Sequence, residues 1–427
     1  MEVPGRILSP LSLNERIGSL DTLRGVALLG ILVMNIRNFA LPLKDFDNPA
    51  FPVAPAETSD VWCWAVANIF FEDKMIGIFS MLFGAGIIVM TARAGAGLRP
   101  IVLHYRRMCW LLVIGLLHAY LLWYGDILNT YAICGALIFP FRRFSPAMLI
   151  SLGLAVIIVA VGIRAQGPMS ATVFPPPLAA AQASPEQPKK QSNADRIIKE
   201  AMENEAAAYH GSWVALARWR AKLNTFWHYH GVVGFNLWRC AGFMLIGMGL
   251  LQLGLIGASR PAHVYAALMV GGYVVGLTLC LMGFWPQLSR VLGRTTPLAP
   301  AAREMWGLIA WTARYLGAVA LAIGHVGLVM FACQSRRLSI LLAPLASVGR
   351  MALSNYLMHT LIAVLMFDGW AFGQWGTWRF SELTMLVAGV WAVQIILSPL
   401  WLSFFRYGPV EWAWRSLTYW KVQTIAS

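Results

Sequence analysis

The sequence predicts an all-α fold, a polytopic transmembrane helical bundle of about ten helices, with both termini in the cytoplasm. Three observations carry that expectation. Of 427 residues, 58% are hydrophobic and only 12% charged, against roughly 25% charged in a soluble domain. The apolar residues gather into runs suited to a hydrocarbon core of about 30 Å. Finally, most Lys and Arg of the short loops fall on one side. Arg6, Arg16, Arg99, Arg106, Arg107, Arg142, Arg143, Arg336, Arg337 and Arg350 are among them, whereas the opposite loops hold Lys44, Arg290, Arg294, Arg303 and Arg379. Such asymmetry sets orientation, with the basic side cytoplasmic.

In chain order the runs cover 22–43, 75–92, 108–125, 127–141, 146–165, 231–256, 262–284, 306–333, 351–367 and 383–405. The fourth is the shortest. Small residues punctuate several of them, such as Gly84 with Gly86 and Gly272 with Gly276, and small residues let membrane helices approach closely. A polar interval divides the chain into a five-helix part at 1–166, an insertion at 167–230 and a second five-helix part at 231–427. The insertion opens Pro- and Ala-rich (Pro175, Pro176, Pro177, Pro185, Pro188), as a linker does. It continues into amphipathic helices carrying Ile197, Ile198, Met202, Trp213, Leu216, Trp219 and Leu223, expected along the extracytoplasmic interface.

The net charge of +14 accompanies no nucleic-acid motif. The basic loops instead fit orientation and membrane lipid as partner. Cys63, Cys109, Cys134, Cys240, Cys280 and Cys333 stand singly, so neither a disulfide framework nor a metal site is expected. Met1 to Glu15 is mixed in character, and the first apolar run exceeds a cleavable signal's core, so it is expected to serve as the targeting signal itself.

Polar groups inside the bilayer are expensive and need partners or a task. On the first helix Asp21 and Arg24, three apart, share a face and can pair. Asn35 follows about three turns beyond Arg24, near Arg37 and Asn38. Glu72, Asp73 and Lys74 form a charged run that suits a membrane edge or a cavity mouth. His118 precedes Asp126 by eight residues, and an imidazole near a carboxylate in a low-dielectric site is what proton transfer requires. About 80° apart on a continuous helix, the two need not touch. Asn355 and His359 are four apart on one face, with Arg350 at the cytoplasmic end. His325 suits packing, and Arg239 and Arg314 could line an anion route.

Leu20-Asp21-Thr22-Leu23-Arg24-Gly25 with Asn35, Phe79-Ser80-Met81-Leu82-Phe83-Gly84, the block from His118 to Tyr131, and Gly349-Arg350-Met351-Ala352-Leu353-Ser354-Asn355-Tyr356 resemble the signatures of the YeiB-like family of bacterial membrane proteins. The resemblance covers nearly the whole chain outside 167–230. It implies a multi-pass protein of the bacterial inner (cytoplasmic) membrane. The opening helix more distantly resembles transmembrane acyltransferases, namely acyltransferase family 3 and the heparan glucosaminide acetyltransferases. These relatives carry an acyl group from cytoplasmic acyl-CoA to a hydroxyl or amine across the membrane. Asn35 matches the Asn of the second group. That group's working His lies in the loop after helix one, and no His occurs here between Asn35 and Asp60.

The resemblance therefore implies an acyltransferase with acyl-CoA as co-substrate and a glycan, lipid or small molecule as acceptor. His118 or His359 would take the proton, with Asp126 beside His118 and Asn35 donating to the developing oxyanion. Arg106 and Arg107 would meet CoA phosphates, while Asp21, Arg24, Arg350 and Asn355 would order the site. The second reading is a non-enzymatic carrier of a small anionic solute or lipid, with Arg239 and Arg314 along the route. Either form could assemble as a homo-oligomer.

Overall fold

The computed structural model describes residues 18–52, 56–93, 97–165, 193–227, 236–294 and 300–426. The expected linker at 167–192, Arg6 and Arg16, and the side chains of Arg303, Ile197 and Ile198 lie outside the described residues. Within them the fold is all-α, with a single isolated bridge between Phe405 and Ala426.

The first part comprises α1 (Gly18–Ala40), α2 (Thr58–Val66), α3 (Lys74–Arg93), α4 (Arg99–Leu121), α5 (Leu128–Ile138) and α6 (Pro146–Ala165). A hairpin of α7 (Asn193–Tyr209) and α8 (Trp213–Trp227) follows. The last part holds α9 (Leu237–Gln252), α10 (Ala262–Val291), α11 (Pro300–Gln334), α12 (Arg336–Arg350), α13 (Ala352–Phe367), α14 (Phe380–Phe404) and α15 (Pro409–Tyr419). Prolines mark several starts, at Pro146 and Pro409 and, for α10, at Pro261 just before it, because a missing N–H costs nothing in a first turn.

Within the described residues each of the ten apolar runs lies largely on a helix, but the helices differ in reach. Gly18–Ala40, Thr58–Ala92, Arg99–Leu121, Ala262–Val291, Met305–Gln334 and Phe380–Phe404 are long and apolar enough to cross a membrane. α12 and α13, bent by 76°, make a seventh if counted as one broken span. α6 and α9 are shorter apolar helices, and α5 has 11 residues, about half of what a bilayer asks. By helix length and composition the chain is therefore an all-helical, multi-pass membrane protein with six or seven candidate spans among the described residues.

Glycines set the closest crossings. A Cβ on Gly84 would strike the Met244 backbone, and one on Gly247 would strike that of Met81, so α3 and α9 touch main chain to main chain. Gly272 and Gly276 do the same for α10 against α11, whereas Gly86 faces open space. Gly25 of α1 meets the Leu345 carbonyl and the Gly349 amide, and Gly349 in turn meets the Asp21 carbonyl. The first and last sequence signatures thus form one helix crossing.

Carboxylates cap two helix starts from a distance. Asp60 of α2 accepts from the Ser381 amide (2.9 Å) and hydroxyl (2.7 Å) at the head of α14. Glu411 of α15 accepts from the Leu353 amide (2.6 Å) and Ser354 amide (3.1 Å), and from the Ser354 hydroxyl, at the head of α13. Anionic oxygens satisfy the orphan N–H groups there and complement the helix dipole. Burial pushes the Glu411 carboxyl above its ordinary range while those donors pull it back.

The hairpin caps the bundle end formed by α1, α4 and α13. Arg220 reaches Asp368 in a buried pair at 2.8 and 2.9 Å, Asn224 Nδ2 donates to the Ala119 carbonyl at 2.5 Å, and Glu205 accepts from the Leu43 amide at 3.0 Å. Leu216, Trp219 and Leu223 are buried as the amphipathic pattern predicts, but Met202 and Trp213 are exposed. In a membrane protein apolarity does not separate core-facing from lipid-facing positions.

Candidate functional site

The end of α4 builds the site. The helix stops at Leu121, and the chain turns through Gly125 before α5 begins at Leu128. That turn carries Asp126 back beside α4, into the space left by Gly115. A Cβ on Gly115 would lie 2.5 Å from the Asn129 nitrogen and 3.0 Å from Asp126 Oδ2. His118 and Asp126 consequently meet, Nδ1 to Oδ1 at 2.8 Å, with side chains 2% and 0% exposed. The angle expected for a continuous helix fails because the helix ends between them.

Each partner is further fixed. Asp126 Oδ2 accepts from the Asn129 amide at 3.0 Å. His118 Nε2 lies 2.9 Å from the Thr360 hydroxyl of α13, and the ring sits 5.4 Å from that of Tyr356. In a neutral ring, a carboxylate on Nδ1 selects the tautomer with the proton there and leaves Nε2 as the acceptor. A ring oriented by a carboxylate in this way can serve as a general base, and the Thr360 hydroxyl is the group its Nε2 meets.

His359, the other candidate base, has a different neighbour. Its Nε2 lies 2.8 Å from Gln394 Oε1, and Gln394 Nε2 donates to the Asn355 carbonyl at 3.1 Å. Asn355 Nδ2 donates to the Val348 carbonyl (3.2 Å) and the Ser398 hydroxyl (3.1 Å). This amide-rich network joins α12, α13 and α14 and offers no carboxylate to orient or charge the ring. His325 binds the Leu321 carbonyl of its own helix at 2.8 Å and stacks on Tyr273, as packing requires.

The remaining expected residues fall in two places. At one end of the bundle Arg24 pairs with Asp21 at 2.7 Å, and the Arg350 Nε is buried without a hydrogen-bond partner. Arg107 stacks over Trp414 at 4.5 Å. Arg106 stacks over Trp420 at 5.0 Å and donates to the Thr418 carbonyl at 3.2 Å. Beside them Leu98, Arg99, Arg106, Tyr419 and Lys421 line a cleft of about 370 Å³. Asn35 is half-buried on α1. Thr360 and the Asn129 amide hydrogen-bond the dyad, and Tyr356 lies beside Asp126.

Sequence reasoning missed Thr360, Gly115 and a charged layer around Asp47. Asp47 Oδ1 accepts from Arg37 (3.3 Å), Trp64 Nε1 (2.7 Å) and Asn68 Nδ2 (3.3 Å). Arg314 donates to Gln287 Oε1 (2.8 Å) and Asn68 Oδ1 (3.0 Å) and pairs with Glu72, while Arg239 pairs with Asp73. Arg239 and Arg314 are thus each paired with a carboxylate. Among the described residues no three His, Cys, Asp or Glu side chains gather as a metal site would need.

A family model described as a protein of unknown function (DUF418) matches residues 250–421. The chain is similar along nearly its whole length to the uncharacterized protein YeiB of Escherichia coli K12, 31% identical over 423 residues covering 95% of this chain and 96% of that one. It is also similar to the uncharacterized protein YxaH of Bacillus subtilis 168, 29% identical over 438 residues with 98% of each chain covered. An uncharacterized 39.9 kDa protein of Bacillus acidopullulyticus is 28% identical over 417 residues, 96% of each chain.

Proposed function

The chain belongs to the YeiB-like family of membrane proteins, and we propose that it is a transmembrane acyltransferase moving an acyl group from acyl-CoA to a hydroxyl or amine of a lipid, glycan or small-molecule acceptor. The observation that carries this reading is the buried His118–Asp126 dyad with a hydroxyl at its free nitrogen. A base oriented in that way serves proton abstraction, and of the two candidate histidines only His118 has a carboxylate beside it. In turnover Nε2 takes the acceptor's proton as the new acyl bond forms. The thioester C–S bond breaks, and the departing thiolate recovers the proton. Asn35 is assigned the oxyanion, and Asp21 and Arg24 the ordering of the opening helix.

Acyl-CoA is assigned to the basic end of α4, where Arg99, Arg106 and Lys421 line the cleft. From Arg106 to His118 is twelve residues, about 18 Å along a helix, a span that an extended pantetheine arm suits. The reading includes the bacterial inner membrane, ten helices counting α5, α6 and α9 as crossings, and both termini in the cytoplasm. Binding of acetyl-CoA and a long-chain acyl-CoA to the detergent-purified protein tests it. Saturable binding weakened by Arg106→Gln supports the assignment. No binding at millimolar ligand refutes it and favours a carrier.

A further inference from the structure

The apolar stretch Thr58–Ala92 is broken inside the bundle. α2 passes into a π-helical turn at Ala67–Phe71, Asp73 adopts a left-handed φ of 63°, and α3 starts afresh at Lys74. π-turns and non-glycine residues at positive φ cost energy and persist where surrounding structure holds them, often at functional sites. Interrupted membrane helices place a helix N-terminus, with its positive dipole end, within the protein, where anionic groups are received.

The charges around the break do not balance. The cations are Arg37, Lys74, Arg239 and Arg314, with Arg290 facing Asp47, and the carboxylates are Asp47, Glu72 and Asp73. Each carboxylate is engaged by an arginine: Asp47 by Arg37, Glu72 by Arg314, Asp73 by Arg239. Asp47 is also filled by Trp64 and Asn68 on one oxygen and by Gln287 on the other. Lys74 is left over. It is 1% exposed, its Nζ donates to the Asn68 carbonyl at 2.9 Å, and it meets the Cys280 thiol. Both groups are neutral, and the carboxylate that faces Lys74, Asp73, is already paired with Arg239. Through Asn68 and Asp47 the network continues to Arg37, whose buried Nε has no hydrogen-bond partner. The layer is not sealed, since the Asp47, Glu72 and Asp73 side chains keep 25%, 22% and 21% exposure.

We infer that the break between α2 and α3 is an anion site, in which a phosphate or carboxylate group is held by the Lys74 ammonium at the head of α3. A buried ammonium that hydrogen-bonds only neutral groups, beside a carboxylate already paired with an arginine, is poorly compensated, and an oxyanion would satisfy it as a charge-assisted pair. The site is separate from the His118–Asp126 dyad and does not rest on the acyl-transfer reading.

The test uses the full-length protein in two arms. Equilibrium dialysis measures radiolabelled inorganic phosphate on detergent-purified protein. Native mass spectrometry measures phosphatidylglycerol retained from phosphatidylcholine nanodiscs containing it. Wild type and Lys74→Arg should hold one anion saturably, and Lys74→Met should hold it at least tenfold more weakly. Lys74→Gln, whose amide still reaches toward the Asn68 carbonyl, replaces Lys74→Met if the latter does not purify. Uptake of phosphate alone assigns a soluble anion, and uptake of the lipid alone assigns a headgroup. Uptake of neither, or equal uptake by wild type and the uncharged variant, overturns the inference.

Discussion

His118 Nδ1 stands 2.8 Å from Asp126 Oδ1, and the pair is almost wholly closed to solvent. The contact exists because α4 ends at Leu121 and the turn behind it folds into the space that Gly115 leaves. With Nδ1 committed to the carboxylate, the basic nitrogen points at Thr360 on another helix. Three separate chain segments thereby fix one proton acceptor.

Asp126→Asn should therefore remove the group that selects the tautomer without emptying the site. The expected result is a loss of acyl-CoA turnover of about 10²–10⁴-fold, with little change in thermal midpoint. Single-turnover acyl loss beside a thermal melt checks both halves.

Gly115→Ala places a methyl group against the Asn129 nitrogen and Asp126, and the neighbour on one side is backbone. The expected cost is about 1–3 kcal/mol of stability together with lower turnover. Gly86→Ala, in open space, is the control and should be silent in both measurements.

The hairpin of α7 and α8 depends on Arg220 and Asp368, whose side chains are 0% and 3% exposed. Burial raises the Asp368 carboxyl while Arg220 pulls it down. Removing Arg220 alone strands a buried charge, at an expected cost of about 3–5 kcal/mol. Replacing both with apolar residues of similar volume should recover much of it. Limited proteolysis within 193–227 reads the difference.

Docking of the same hairpin should depend on pH. Burial lifts the Glu205 carboxyl from 4.5 to about 7, against the pull of the Leu43 amide. The folded form then binds the proton more tightly than the unfolded one, so this group's contribution is present below 4.5 and is lost as pH rises through about 7. Hydrogen-exchange protection factors across α7, which remove the intrinsic base catalysis of exchange, should be larger at pH 5 than at pH 8, and Glu205→Gln should flatten that contrast.

How much of this was legible in the sequence follows from the range of each interaction. The apolar runs, the Asp21–Arg24 pair and the inner face of Leu216, Trp219 and Leu223 are local patterns, and the structure carries all of them. Span number is less legible, because length alone separates α5 from a crossing helix and neighbouring runs blur its ends. Asp47, Asn68, Gln287 and Arg314 come together from four segments, and no periodicity within any one of them announces the meeting. His118 and His359 look alike in sequence. What distinguishes them is the partner, a carboxylate folded back by a turn against a glutamine 35 residues away.

The central claim, that His118 is the base of an acyl transfer, is tested most directly by release of CoA thiol from acyl-CoA by purified wild type, His118→Ala and His359→Ala. The account predicts release by wild type, its loss in His118→Ala, and its retention in His359→Ala wherever that variant folds. Release that persists in His118→Ala, or that wild type fails to show with any acyl chain offered, would contradict it.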